Sequence, residues 1–351
     1  MLPEKIIGKP DTRKIERWLG AKGRKLLVYH RDADGVCSAA ILMKFFPDFI
    51  TVSREGPIID SRFFRDILSR KPDLLVFLDM PIDQEWKKIT KLADTMPALN
   101  ILILDHHLPE KDMNGPRIIH VNPMFQGKTY IPASCVIYQL FRKMGYAVKS
   151  VAWISIIGII GDYGMKDCHW MIDEYRQYLR THAGPSCSEL QKASEILASA
   201  ITLRGAAGAE KALKILSTVR RYDDMKKSED LKKWNIVVQR ETKKIVNDFE
   251  KNKETAGERV IFYEIKSRMN ITSIIATITA ERYPDCIVII RKRAGDLWKI
   301  SLRYQEGGLS VGDMAKYASN GIGSGGGHVK SAGAVVNDWK EFRKRVMEYV
   351  A

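Results

Sequence analysis

The sequence predicts an α/β protein: an N-terminal, mostly parallel-sheet domain, a connecting helix, and a smaller C-terminal α+β domain. Two observations carry this. Short apolar runs alternate with helical patterns of 10–15 residues up to about residue 123, the signature of strand–helix–strand crossovers. Four apolar segments then stop abruptly at acids or imidazoles, which is where open parallel sheets deliver polar groups to a crevice. Leu26–Tyr29 runs into His30-Arg31-Asp32-Ala33-Asp34-Gly35, and Leu74–Leu78 runs into Asp79. Leu102–Leu104 runs into Asp105-His106-His107, and Ile156–Gly161 runs into Asp162-Tyr163-Gly164. One such aspartate is ordinarily a helix cap. Four runs that jointly supply five aspartates and several histidines point to a metal site.

In order, a short helix over 11–22 leads to a strand at Lys25–Tyr29, and the apolar Val36–Phe46 reads as a buried helix. Phe49–Ser53 is a second strand, 61–70 a helix, Leu74–Leu78 a strand, and Gln84–Met96 a helix. Strands at Ile101–Leu104 and Ile118–Val121 follow, the latter closing in a turn at Asn122-Pro123. From Ala133 to about residue 216 the pattern is helical, so the Ile154–Ile160 run belongs to a buried helix with Asp162 on the turn after it. Residues 218–255 are strongly charged and keep apolar residues at helical spacing, including Leu231, Trp234, Val238, Ile245 and Phe249. We therefore place domains at 1–217 and 256–351 with a helical linker between. The second has strands at Arg259–Ile265, Cys286–Arg291 and Leu297–Tyr304, helices at Ile271–Arg282 and 311–319, and then a glycine-rich turn.

The 351 residues carry a formal charge of +15, with 57 Lys and Arg against 42 Asp and Glu. This balance favours polyanionic partners. No apolar stretch of about 20 residues exists to span a membrane. The start, Met1-Leu2-Pro3-Glu4-Lys5, lacks a signal-peptide layout. The five cysteines show no CxxC spacing and fit reduced thiols. A cytoplasmic location without membrane association is expected.

Asp32, Asp34, Asp79, Asp162 and His106 form a hard, oxygen-rich donor set with imidazole added. It suits two divalent ions sharing a bridging carboxylate, manganese first and magnesium as the other candidate. The chemistry implied is phosphoester hydrolysis by a metal-activated hydroxide, without a covalent intermediate.

Asp105-His106-His107 is similar to the namesake motif of the DHH phosphoesterase superfamily. Asp32-x-Asp34-Gly35, Asp79 and Gly161-Asp162-x-Gly164 resemble its other three motifs, in order. Gly325-Gly326-Gly327-His328-x-x-Ser331-Ala332-Gly333 looks like the signature of the DHH-associated substrate-binding domain. The resemblance implies that Asp34, Asp79, His106 and Asp162 hold one metal, with Asp79 bridging, and that Asp32 helps hold the other. It implies that Asp105 orients His106 and that His107 touches the substrate phosphate or leaving oxygen; Asp79, Asp105 and His107 are thus the catalytic candidates. Many members carry a metal-binding histidine four residues before the first motif aspartate, where this chain has Val28. His30 lies two residues before Asp32, closer to RecJ-like nucleases, and is a further candidate for the first metal. In the second domain Gly325, Gly326 and Gly327 would offer backbone N–H groups to a phosphate in a nest-like turn. His328 would add a donor, and Ser301 and Arg303 resemble the strand that presents an arginine to phosphate. Arg268 and Asn270 are weaker candidates for a nucleotide contact.

The resemblance implies a metal-dependent exonuclease that hydrolyses single-stranded DNA or RNA to 5′-mononucleotides, retained by the basic charge, with the strand entering a cleft between the domains. Arg204, Lys166 and Arg220-Arg221 are candidates for tracking the backbone, and Tyr163, Trp170 and Tyr304 for stacking bases. The alternative is a small-substrate phosphoesterase acting on short oligonucleotides (a nanoRNase), nucleoside bisphosphates or cyclic dinucleotides. A non-catalytic replication scaffold is disfavoured because all the metal-ligand candidates are present; docking on a replication or repair protein stays compatible with an active nuclease.

Overall fold

A computed structural model describes residues 7, 9–127, 130–306 and 308–350. The chain divides into two compact units, Met1–Asn235 and Ile236–Ala351.

The first unit opens with α1 (Thr12–Gly20), β1 (Lys25–His30), α2 (Ala33–Phe45), β2 (Ile50–Arg54), α3 (Ser61–Arg70) and β3 (Leu74–Leu78). It continues with α4 (Trp86–Thr95), β4 (Asn100–Leu104) and β5 (Ile118–Val121). The five strands form one all-parallel sheet in the order β2-β1-β3-β4-β5. Strands of such a sheet are buried on both faces, which is why β3 is the unbroken run Leu-Leu-Val-Phe-Leu. Side chains alternate between two cores. Leu27, Tyr29, Val76, Leu78, Leu102 and Leu104 face one; Leu26, Val28, Leu75, Phe77, Ile101 and Ile103 face the other, with α3 and α4.

The strand order reverses between β1 and β3, so the crevice beyond their C-terminal ends is the topological switch point where ligands of such sheets bind. His30 ends β1 and Asp79 follows β3.

A helical layer completes this unit: α5 (Ala133–Lys143), α6 (Ala152–Gly161), α7 (His169–Tyr178), α8 (Cys187–Arg204), α9 (Ala206–Thr218) and α10 (Tyr222–Lys226). Helices α2 and α6 are apolar nearly all round and buried accordingly. α11 (Glu229–Asn252) crosses the boundary between the units.

The second unit holds β6 (Glu254–Ala256), β7 (Val260–Glu264), α12 (Thr272–Arg282), β8 (Ile287–Ala294) and β9 (Leu297–Arg303). Then come α13 (Val311–Ser319), β10 (Gly323–Gly327), β11 (Ser331–Val336) and α14 (Trp339–Val350). The sheet order is β10-β11-β9-β8-β7-β6, with only β7 and β8 parallel. Leu302, Ala332, Ala334 and Val336 pack with Met314 and Phe342 of α13 and α14 on one face.

Three expectations change. Helix α2 starts at Ala33, so Asp34 lies inside the helix rather than on a preceding turn. The glycine run is a strand, not a turn, and β11 and α14 continue beyond it. The reason is packing of α13 onto β10. A side chain at Gly325 would lie 2.6 Å from the Ala315 carbonyl, and one at Gly312 would lie 2.5 Å from the Gly327 carbonyl. The glycines allow two backbones to approach closely. Among the described residues no helix is long and apolar enough to cross a membrane.

Candidate metal centre

The four polar strand and helix ends converge. Three overlapping groups place ligand atoms within 4.8 Å of one another: Asp34, His106 and Asp162; His30, Asp32 and Asp79; and Asp79, Asp105, His106 and His107. All eight candidates of the first unit are therefore brought together, and Asp79 and His106 join the groups.

Each position has a local cause. Asp32 is the N-cap of α2, its Oδ1 accepting from the Gly35 N–H at 2.8 Å, while Oδ2 lies 2.8 Å from His30 Nδ1. Asp34, buried in the first turn of α2, accepts from the Ala133 and Ser134 N–H groups at 2.6 and 3.1 Å. It thereby satisfies the N-terminus of α5, which has Pro132 as cap and no side-chain bond of its own. A capping role and a candidate metal-ligand position thus meet in the same two aspartates. Gly158 of α6 makes room: a side chain there would stand 2.6 Å from Asp34 Oδ1 and also strike Ser134.

Asp79 adopts φ 59°, a left-handed conformation that costs a non-glycine residue about 1 kcal/mol and is borne best by Asp and Asn. Its N–H donates to the Leu104 carbonyl at 2.9 Å, tying the bend to β4. The strain turns the carboxylate back into the crevice, with Oδ1 3.1 Å from His106 Nε2 and Oδ2 3.5 Å from His30 Nδ1. His106 Nε2 also lies 3.4 Å from Asp162 Oδ2.

Asp105 departs from expectation. Its Oδ1 sits 2.7 Å from His107 Nδ1, so the carboxylate orients His107 rather than His106. The side-chain amide of Asn122 donates to the His107 carbonyl at 2.8 Å and fixes the same loop.

Asp34, Asp79, Asp105 and His106 are each no more than 2% exposed. Burial alone would raise the Asp79 carboxyl, but the imidazoles of His106 and His30 outweigh it and hold it well below the usual range. Burial likewise opposes charge on His106, yet Asp79 and Asp162 push its pKa up to about 10. Burial, the largest cause, pushes the Asp162 carboxyl up to about 6. Burial and the neighbouring Asp79 and Asp162 raise Asp34. Asp105 is lowered, and His107 raised, by their mutual contact against the opposing effect of burial.

No lysine or arginine ion-pairs with these carboxylates among the described residues. Five carboxylates face three imidazoles, and Asp79 Oδ2, Asp105 Oδ2 and His106 Nδ1 are buried without a hydrogen-bond partner. Buried charge of one sign and orphaned oxygens are costly unless cations complete them. The donor set fits divalent ions.

Two residues here escaped the sequence reading. The Tyr130 hydroxyl donates to the Asp162 carboxylate, and its ring packs edge-on to His106 at 5.1 Å between centroids. Nothing in Tyr130-Ile131-Pro132 marks this. Asn122 was legible in principle, because β5, like β3 and β4, is followed at once by a polar residue.

The candidates of the second unit lie on or beside its sheet. Register sets Gly326, Gly333 and Ser301 in one cross-strand row, with Ser331 opposite Arg303. Arg303 is not free on its strand: it donates to Ser273 and Thr277 of α12 at 2.6 and 3.1 Å. Ser301 is buried. The nest-like turn is corrected. Gly325 and Gly327 are packed against neighbouring backbone and side chains, and Gly326 alone of the three has open space above it. His328 is exposed in the turn to β11, its N–H donating to the Ser331 carbonyl at 2.8 Å.

Comparisons with known proteins agree with this arrangement. The DHH family, N-terminal domain, matches residues 25–159, and the DHHA1 domain matches residues 257–351. No curated protein matches by sequence. Among solved structures, RecJ from Thermus thermophilus in complex with Mn2+ superposes with a TM-score of 0.73 at 18% identity, over 96% of this chain and 53% of that one. An exonuclease RecJ bound to manganese gives 0.68 at 17% identity, over 96% and 92%. A DHH domain described as a member of the s1p family of ribosomal proteins gives 0.75 at 14% identity, over 97% and 89%. The chain spans about half the length of the Thermus RecJ, and at these identities the likeness is one of fold. The two domain matches together cover more than half of the chain, in the order that the motifs require. The chain belongs to the DHH phosphoesterase superfamily, with a DHH domain followed by a DHHA1 domain.

Proposed function

We propose that this phosphoesterase is a metal-dependent exonuclease that hydrolyses single-stranded DNA or RNA to 5′-mononucleotides. The observation that carries the reading is the cluster of five carboxylates and three imidazoles at the switch point of the sheet, with no lysine or arginine ion-paired to it among the described residues. Asp34, Asp79, His106 and Asp162 would hold one ion, and His30, Asp32 and the shared Asp79 the second. Manganese or magnesium is the expected metal, as in the RecJ structures solved with manganese. Bound divalent ions supply Lewis acidity, lowering the pKa of a water and neutralising charge on phosphate oxygens.

The chain's own groups do the rest. Asp79 is held ionised and turned inward by its backbone, ready to bridge. Tyr130 orients Asp162, and Asp105 fixes the ring of His107 so that its Nε2 faces a phosphate or leaving oxygen. The +15 charge favours retention of a long polyanion. In the second unit, the open strip over Gly326 and Gly333 beside Ser301 lets a phosphate approach the backbone, with Arg303 pre-oriented by α12.

The test is manganese-supplemented digestion of end-labelled single-stranded RNA and DNA, from dinucleotides to about 30 nucleotides. Mononucleotide release that quickens with length and falls steeply with salt supports the exonuclease. Rates highest on dinucleotides and indifferent to salt would replace it with a small-oligonucleotide phosphoesterase. No hydrolysis of any substrate would remove the catalytic reading.

A further inference from the structure

We propose that Tyr163 seats the base of the nucleotide whose phosphate lies at the metal centre. The inference rests on the nucleotide substrate proposed above and adds the residue that receives its base. Of the three aromatic residues named for stacking, the fold leaves one open. Tyr304 is buried in the core of the second unit, and Trp170 is half-buried against that of the first. Tyr163 is 69% exposed, and among the described residues no hydrogen bond or ring contact engages its side chain.

The backbone gives that exposure its meaning. Two bonds close the end of α6: the Gly164 N–H donates to the Ile159 carbonyl at 2.8 Å, and the Tyr163 N–H to the Ile160 carbonyl at 3.2 Å. This pattern sets the residue after the helix cap in the left-handed region, where glycine is the usual occupant. Here that residue is Tyr163, at φ 55°. A bulky side chain is sterically disfavoured in this conformation, and a ring open to solvent has no packing to offset the strain. Among the described residues three non-glycine residues have positive φ: Lys71 caps α3, and Asp79 and Tyr163 both stand at the metal centre. Strain that persists without packing marks a functional position.

The backbone under the ring is also fixed. The Asp162 carbonyl lies 3.1 Å from the Tyr130 hydroxyl that meets the Asp162 carboxylate. On the other side, Gly164 is pressed against Pro132, where a side chain would lie 2.4 Å from Cγ. The Gly164 carbonyl accepts from the N–H of the fully buried Cys168 at 2.9 Å. Tyr163 is thus held on both sides, one residue (about 3.8 Å between Cα atoms) from a candidate metal ligand. Leu108, next to His107, and Met165 are exposed as well and add apolar surface beside the same ligands. A nucleotide with its phosphate at the metals brings its base to this neighbourhood. An open aromatic face on a fixed backbone receives any base, because every base has a flat face to stack.

The test uses the full chain with magnesium and a short single strand whose linkages are methylenephosphonates, so that nothing is hydrolysed. 2-Aminopurine, whose emission is quenched on stacking, occupies the 5′ terminal nucleotide of one strand and the 3′ terminal nucleotide of another. One of the two is expected to be quenched on wild type and on Tyr163→Phe, with the quenching lost on Tyr163→Gly and binding about tenfold weaker. Tyr163→Gly installs the residue that the turn favours, so it should melt no lower than wild type, and its weaker binding is then not a loss of fold. Equal quenching by wild type and Tyr163→Gly, or no quenching of either strand, would overturn the proposal. A lower melting temperature for Tyr163→Gly would make the ring a packing residue and overturn it too.

Hydrolysable strands with manganese give the kinetic counterpart. Tyr163→Gly should raise KM about tenfold with kcat little changed, and removing the terminal base should raise the wild-type KM by a similar factor while leaving that of the variant unchanged. Quenching on Tyr163 without hydrolysis would defeat only the hydrolytic reading. Hydrolysis by Tyr163→Gly with a wild-type KM would defeat only the role of Tyr163.

Discussion

The two units place their candidate residues in opposite ways. In the first, the candidate ligands are side chains at the ends of buried elements, each projecting into one crevice. In the second, the proposed contact is backbone laid bare by glycine, within a strand whose neighbours decide which atoms are open. Gly158 and Gly325 sharpen the contrast. The first clears space for another residue's carboxylate, and the second clears space for a helix. A glycine beside a site is thus not by itself a ligand contact. What its missing side chain would strike tells which purpose it serves.

The comparison can be broken at several points, starting with the largest effect. Asp79→Asn keeps a residue that tolerates φ 59° but removes the charge shared by the two groups. Hydrolysis should fall by about 10³-fold or more, with the circular dichroism spectrum and melting temperature close to wild type. Asp79→Ala would mix this loss with backbone strain and is the poorer test.

Gly158→Ala should come next. The added methyl must displace Asp34 or Ser134, costing about 1–3 kcal/mol of stability and weakening metal binding. Denaturant unfolding and manganese titration measure the two losses; an unchanged manganese affinity would remove Asp34 from the ligand set.

In the second unit, Gly325→Ala should destabilise by a similar amount, because its methyl meets the Ala315 carbonyl. Gly326→Ala should leave the melting temperature unchanged and raise the KM for substrate. Equal behaviour of the two variants would erase the proposed difference between packing and open glycines.

Tyr130→Phe should have the smallest effect. It removes a hydrogen bond to Asp162 while keeping the ring against His106, and a loss of about tenfold in metal affinity or rate is expected.

Much of this was legible before folding, for a physical reason. In a parallel sheet the apolar run and the polar residue that ends it are adjacent in sequence, so Asp79 and Asp105 through His107 announce themselves locally. The helix of Ile154–Ile160 was separable from a strand by its length and its setting among helices. What stayed hidden depends on long-range pairing. Asp105 has two histidines beside it, and only the fold of the loop selects His107. Asp34 meets the N-terminus of α5 some 99 residues away. The glycine run has no side-chain alternation from which a strand can be read. Its strand character comes from pairing with β11 and packing against α13; the helix was legible at 311–319, but β11 was not.

pH offers a further handle on the first unit. With no metal bound, His106 is held protonated by Asp79 and Asp162, its pKa pushed up to about 10. A cation must displace that proton before Nε2 has a free lone pair. Manganese affinity should therefore rise as pH increases from about 6 to about 9, with protons released on binding. Calorimetry in buffers of different ionisation enthalpy counts them; affinity that falls or stays flat over this range would contradict the assignment of His106.

The most direct test of the central claim, a two-ion centre joined by Asp79, is the stoichiometry of manganese on wild type and Asp79→Asn. It is read by electron paramagnetic resonance of free Mn2+ during titration. Two ions per chain on wild type, with spin coupling between them, and at most one uncoupled ion on the variant is the predicted result. A single ion on wild type, or two ions bound equally well by Asp79→Asn, would contradict it.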